Sequence, residues 1–312
     1  MTYVGVDPVL LTGPILFGTI VSFALFGMYL KQIEHYVMNQ LCDSPKPRKD
    51  PIWLRVLICA VSVLELLSIC MIIDTSWYIL VLPSRRPGFE FTPPGFSAAS
   101  PLLTALISFC VQSFFARRIW MLCPKARAVA TLIELLSLVQ LSAGAAITAM
   151  FTLNGYDFRA SQAFKPTFGT YLGSNLACDC LITVTLVIVL LRHYRDQSTV
   201  SSTRRMLDML SRNTMENGLM VTACVALELA FYLTRPGDLV YAAFQWVSGQ
   251  IVANVILASI NGRQKWSSQD VVILGADSSF RVPEISSEEE SRSTPSNCGT
   301  MSVGAQGTRG RP

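Results

Sequence analysis

The chain has 312 residues, 51% of them hydrophobic and only 15% charged, with a net charge of +4. A soluble globular domain is about 25% charged, so this composition excludes one large water-facing surface and points to burial in lipid. The basic residues are spread through short loops rather than clustered on one face, which excludes a nucleic-acid-binding surface.

Residues 1–10 carry Asp7 and no Lys or Arg, and the apolar run that follows is too long for a signal-peptide core, so the first helix is expected to insert and stay. Helix 1 is predicted over about 9–36, with Gly13-Pro14 at its start and Gly18 and Gly27 permitting close packing. A linker holding Lys46, Arg48 and Lys49 between prolines leads to helix 2, about 53–82, which carries Glu65 and Asp74. Proline, glycine and phenylalanine make 83–99 a turn-filled excursion. Helix 3, about 100–122, ends in Ala116-Arg117-Arg118-Ile119-Trp120, and helix 4, about 127–153, contains the small-residue run Ser142-Ala143-Gly144-Ala145-Ala146 suited to tight helix contact.

Helix 5 is predicted over about 169–193. The stretch after it mixes Met206, Leu207, Met209 and Leu210 with Arg204, Arg205, Asp208 and Arg212. It reads either as a short amphipathic helix at the membrane surface or as an extension of helix 6. Helices 6 and 7, about 214–234 and 239–261, form a hairpin with Arg235 in its turn. Residues 1–266 thus form a seven-helix transmembrane bundle, an all-α membrane fold. Residues 267–312, rich in serine, threonine, glycine and charge, form a disordered cytosolic tail.

Orientation follows from the basic residues. All but five of the 25 lie in the tail or around the loops after helices 1, 3 and 5; the exceptions are Arg85, Arg86, Arg159, Lys165 and Arg235. Loops rich in Lys and Arg stay in the cytosol. The N-terminus is therefore expected outside and the C-terminus inside, with the plasma membrane the expected location.

Several motifs recur in a fixed order. They are Leu11-Thr12-Gly13-Pro14 with Gly18 and Gln32…Tyr36, then Gln112…Arg117-Arg118-Ile119, then Arg205…Thr214…Gly218-Leu219…Thr222, and last Asn254…Leu257-Ala258-Ser259-Ile260-Asn261-Gly262-Arg263. In this order the chain resembles a group of fungal, mainly basidiomycete, seven-helix membrane proteins of unknown function. The resemblance covers about residues 10–265 and departs from the common pattern at Ile260-Asn261 and Phe244-Gln245-Trp246. It implies a fold and a taxon, and no activity.

The intramembrane acids are the strongest site candidates. At about 1.5 Å rise per residue, Glu65 lies roughly 18 Å from the inner end of helix 2 and Glu228 about as deep in helix 6. Asp179 lies roughly 15 Å from the outer end of helix 5 by the same rise. A charge at that depth costs at least ~2.5 kcal/mol. One reading is a proton, cation or amine-ligand site lined by Glu65, Asp179 and Glu228, with Asn175, Gln112 and Asn254 as polar neighbours. The other is a set of neutral carboxyls hydrogen-bonded between helices. Asp74 and Glu134 lie nearer the interfaces and read as ordinary.

Only two histidines, His35 and His193, are present, and Cys178 and Cys180 point to different faces of one helix, so no metal centre or other cofactor is expected. No lysine lies between Lys165 and Lys265, which excludes a retinal Schiff base in helix 7. Helix 3 lacks the acidic-Arg-aromatic triplet and helix 7 the proline of rhodopsin-type receptors. Arg117 and Arg118 read as phosphate-level anchors or as contacts for a cytosolic signalling partner at the basic loops. Cys42 and Cys123 are juxtamembrane candidates for acylation. Ser286 and Ser287, followed by Glu288–Glu290, and Thr294, followed by Pro295, are phosphorylation candidates. No catalytic motif is present, so a non-enzymatic receptor- or sensor-like protein is expected. The alternative is a small proton- or cation-coupled transporter using the midplane carboxylates. The lipid bilayer is the one partner the sequence names; the oligomeric state stays open.

Overall fold

The computed structural model describes residues 8–41, 51–81, 95–154, 161–195, 201–235 and 240–278, apart from the side chains of 8–11, 41, 95, 154, 161–164, 190, 193–195, 201–217 and 263–278. Among the described residues there are seven α-helices and no strand: α1 Pro8–Leu41, α2 Ile52–Leu80, α3 Ser100–Leu122, α4 Arg127–Asn154, α5 Ser161–Arg195, α6 Ser201–Thr234 and α7 Val240–Ser278. Short 3₁₀ turns, Gly95–Ala99 and Pro124–Ala126, lead into α3 and α4. The chain falls into two compact units, Met1–Val271 and Val272–Pro312. Of the second, the structure describes only the backbone of 272–278, which is helical.

Four helices run past their predicted ends. α1 continues to Leu41, α5 begins at Ser161 and carries Pro166 inside it, α6 begins at Ser201, and α7 continues to Ser278. Hydropathy marks only the apolar part of a helix. Once nucleated, the backbone goes on adding one hydrogen bond per residue into polar sequence. The stretch before helix 6 is accordingly one continuous helix with it. Cys42, Ser286, Ser287 and Thr294 lie outside the described residues, as do the side chains of Arg204 and Arg205.

Among the described residues, six helices are long and apolar enough to cross a membrane; α6 contributes a shorter apolar stretch, Gly218–Thr234. The surface is that of a protein in lipid. Phe17, Ile20 and Phe23 on α1 and Val56, Val63, Leu66 and Ile73 on α2 are exposed. Apolar surface on that scale is not left facing water in a soluble monomer.

α1 buries Ile15, Gly18, Ser22, Tyr29 and Tyr36, and α2 buries Leu54, Ile58, Val61, Glu65, Ile69, Met71, Ile72, Ser76 and Ile79, mostly at steps of three and four. Each therefore offers one narrow stripe to the bundle. The two stripes meet antiparallel, with Thr19 Oγ1 2.6 Å from Ser76 Oγ and Tyr29 Oη 3.0 Å from Ser62 Oγ.

α7 is different. Every residue from 251 to 257 is buried, and at 100° per residue seven in succession cover the whole circumference. α7 is thus wrapped by protein. It lies against α1, where a Cβ on Gly18 would stand 2.9 Å from Ala243 Cα. It lies also against α6, where the Phe231 and Phe244 rings stack at 5.4 Å. α3 and α4 cross just as closely at small residues, since a Cβ on Gly144 would meet Ala105 Cβ at 2.9 Å.

Candidate functional site

Among the described residues, buried polar side chains form three niches, each at a different helix junction. The first joins α3, α4 and α5. Gln112 Nε2 donates to Asn175 Oδ1 at 3.0 Å and to Asp179 Oδ1 at 3.4 Å, while Ser137 Oγ donates to Gln112 Oε1 at 2.8 Å. Asn175, Asp179, Ile182 and Leu186 share one face of α5 because they follow each other at steps of four, three and four. Asp179 Oδ2 is buried and without a hydrogen-bond partner. It borders a cleft of about 40 Å³ between α3, α5, α6 and α7, walled by Phe115, Thr183, Val221 and Val255 and opened by the missing side chain of Gly218.

The second niche joins α6, α7 and α5. Ser248 Oγ lies 3.4 Å from Glu228 Oε2 and donates to the Gln245 carbonyl at 3.0 Å. Tyr171 lies close to Gln140, Gln245 and Glu228. Beyond Glu228, toward the α6–α7 turn, aromatic rings close the niche: Phe168 stacks on Tyr232 at 5.4 Å and Tyr232 meets Tyr241 edge-on at 5.6 Å.

The third niche lies between α1, α2 and α7. Glu65 is fully buried, and neither of its carboxyl oxygens has a hydrogen-bond partner. Tyr29 is its electrostatic neighbour. Toward the end where α1 finishes, Asn254 Oδ1 accepts from Gln32 Nε2 at 3.1 Å and its Nδ2 donates to the Leu25 carbonyl at 3.1 Å. Further along, Asn261 Nδ2 donates to the Gln32 carbonyl at 2.9 Å, and Arg118 Nη1 donates to Ser259 Oγ at 3.2 Å.

Of the site residues expected from sequence, the structure brings together Gln112, Asn175 and Asp179. Glu65, Glu228 and Asn254 stand apart from them, and no hydrogen bond or electrostatic interaction joins any two of the three carboxyls. Depth along a helix can be counted from sequence. Rotation about the helix axis is set by packing, and it separates groups that lie at one level. Glu134 is half-buried and accepts from Ser113 at 3.1 Å, whereas Asp74 is exposed. The adjacent arginines divide: Arg118 turns inward to Ser259, and Arg117 stays outside over the Trp53 ring at 4.6 Å. Cys123 is half-buried at the end of α3.

Sequence reasoning missed the neutral members of these niches: Ser22, Tyr29, Ser137, Gln140, Tyr171, Gln245, Ser248 and Gln250. The glutamines carried a usable signal, because an amide in hydrocarbon needs a partner almost as much as an acid does.

Residues 175–265 match a family of unknown function (DUF6534). The match begins at Asn175 and takes in Asp179, Glu228 and all of the apolar part of α7. No curated protein and no solved structure matches the chain.

Proposed function

We propose that the chain is a non-enzymatic, receptor- or sensor-like membrane protein that crosses the bilayer seven times, N-terminus outside and C-terminus in the cytosol. The apolar stretch of α6, Gly218–Thr234, is 17 residues long, at the lower limit for a span. The side to which α1, α3 and α5 run carries most of the Lys and Arg. Arg117 over Trp53, and Arg127 over Trp120 at 5.4 Å, suit an interface on that same side.

The observation that carries the reading is the position of α7. It is held by polar contacts to α6 at Ser248, to α1 at Asn254 and to α3 at Ser259. A shift imposed near Glu228 therefore has a rigid, enclosed element through which to reach Arg118. A carrier would instead need its carboxyls along one path, and here they occupy separate niches. The ligand candidate is the Asp179 cleft, whose free Oδ2 suits a hydrogen-bond donor such as a small amine.

The test uses the purified full chain. Ethylamine should raise the unfolding temperature of the wild type and leave Asp179→Asn unmoved. Glu228→Gln should change the alkylation rate of Cys123 several-fold, read by mass spectrometry. Proteoliposomes under a proton or sodium gradient should show no flux above that of empty vesicles. Flux that Glu228→Gln removes would replace this reading with the carrier.

A further inference from the structure

The end of the bundle where α3 finishes holds cations that no acid balances. Arg117 near the end of α3, Lys125 in the Pro124–Ala126 turn and Arg127 at the start of α4 are all exposed. Among the described residues none of the three forms an ion pair, and neither guanidinium donates a hydrogen bond. The helices add to the imbalance. α2 and α4 both begin at this end, with no acid in the first turn of either and no side chain capping α2, and a helix start is positive.

Contacts tie these groups into one row. The Arg117 guanidinium lies 4.6 Å from the centre of the Trp53 ring on α2, and that of Arg127 lies 5.4 Å from the Trp120 ring. Arg117 and Trp120 stand three residues apart on α3, so they are neighbours on its surface. The row therefore runs Trp53, Arg117, Trp120, Arg127 across the ends of α2, α3 and α4, with Lys125 two residues before Arg127. An indole takes up the flat face of a guanidinium. It leaves the in-plane N–H groups, which match phosphate oxygens in pairs. Both rings are themselves exposed, so each arginine is held in place without being covered.

Past the row the surface turns apolar. Val56 and Val63 follow Trp53 on α2 at steps of three and seven, Leu135 follows Arg127 on α4 at eight, and all are exposed. A lipid headgroup at the row thus has its acyl chains on the faces that meet the bilayer, which a soluble phosphate would not use.

We propose that Arg117, Arg127 and Lys125 bind the headgroup of a membrane lipid that carries a phosphomonoester, as a phosphoinositide does. The phosphodiester of an ordinary phospholipid brings one negative charge, whereas a phosphomonoester carries about −1.5 to −2 at neutral pH, a closer match to the unbalanced cations. Basic side chains gathered at the membrane ends of helices attract such headgroups. Bound there, the lipid clamps the starts of α2 and α4 to the end of α3.

The experiment is native mass spectrometry of the full chain, titrated with dioctanoyl phosphatidylinositol phosphate, dioctanoyl phosphatidylserine or inositol bisphosphate. One phosphoinositide should bind, with a half-saturating concentration several-fold below those of phosphatidylserine and of the chainless inositol bisphosphate. Arg117→Gln and Arg127→Gln should each raise that concentration several-fold while leaving the unfolding temperature unchanged, because both side chains are exposed. Arg117→Lys should recover part of the loss, since it keeps the charge and not the planar fork. Arg192→Gln, exposed on α5 and outside the row, should bind as the wild type does. Equal binding by wild type and the Arg117→Gln/Arg127→Gln double variant would overturn the proposal, leaving the two pairs as anchors that any bilayer satisfies. An equal loss in Arg192→Gln, or phosphatidylserine bound as tightly as the phosphoinositide, would overturn it by reducing the effect to net charge. Inositol bisphosphate bound as tightly as the lipid would replace the lipid with a soluble phosphate.

Discussion

The most apolar stretch of α7 is 83% buried, against 22% in α1 and 33% in α2. The two kinds of helix reverse the usual relation between hydropathy and burial. α2 has the higher mean hydropathy, 2.7 against 1.4 for α7, yet α2 gives most of its apolar surface to lipid. In a bilayer, lipid tails take up leucine as readily as a protein core does, so apolar residues need not face inward. What must face inward is polar. α7 carries Gln245, Ser248, Gln250, Asn254 and Ser259, all buried, and its enclosure gives Ser248, Asn254 and Ser259 partners on neighbouring helices. Burial in this protein follows polarity and small size more closely than it follows hydrophobicity.

Substitutions sharpen the contrast, and the largest effect is expected where the two kinds of helix touch. At Gly18 a Cβ would stand 2.9 Å from both Ala243 Cα and Cβ, while Gly13 on the same helix has nothing within 4 Å. Gly18→Leu should cost about 3 kcal/mol or prevent folding, as overpacking against backbone does. Gly13→Leu should stay within about 0.5 kcal/mol of wild type. Equal unfolding temperatures for the two would mean that α1 does not lie on α7 at that crossing.

A smaller effect is expected at Asn254. Asn254→Leu removes the hydrogen bonds to Gln32 and to the Leu25 carbonyl and should cost about 1 kcal/mol, since an interhelical bond in lipid averages roughly 0.6. Leu66→Ala, on the lipid face of α2, should shift stability by less than about 0.5 kcal/mol. Reversal of that order in thermal unfolding would break the comparison.

These expectations mark what the sequence can and cannot tell. Long apolar runs, charged loops and the Arg235 turn located all seven helices, because a bilayer demands length and hydropathy and little else. The helical extensions at Ser161, Ser201 and Ser278 were not legible, since polar residues continue a helix without any hydropathy mark. At the site, the depths of Glu65, Asp179 and Glu228 could be counted from the helix ends. Their separation could not, because a few tens of degrees of rotation decide whether an acid meets Gln112, Ser248 or no partner at all. Nor did hydropathy single out α7 as the axis. Its glutamines and asparagines were the available sign, and only Asn254 was read in that way.

The central claim is that α7 is enclosed while α1 and α2 face lipid. The most direct measurement is labelling in nanodiscs with a photoactivatable diazirine lipid, followed by peptide mapping. The account predicts adducts at exposed positions such as Phe17, Ile20, Val63 and Leu66, and none above background across residues 240–262. Adducts along α7 as frequent as those on α2 would contradict it.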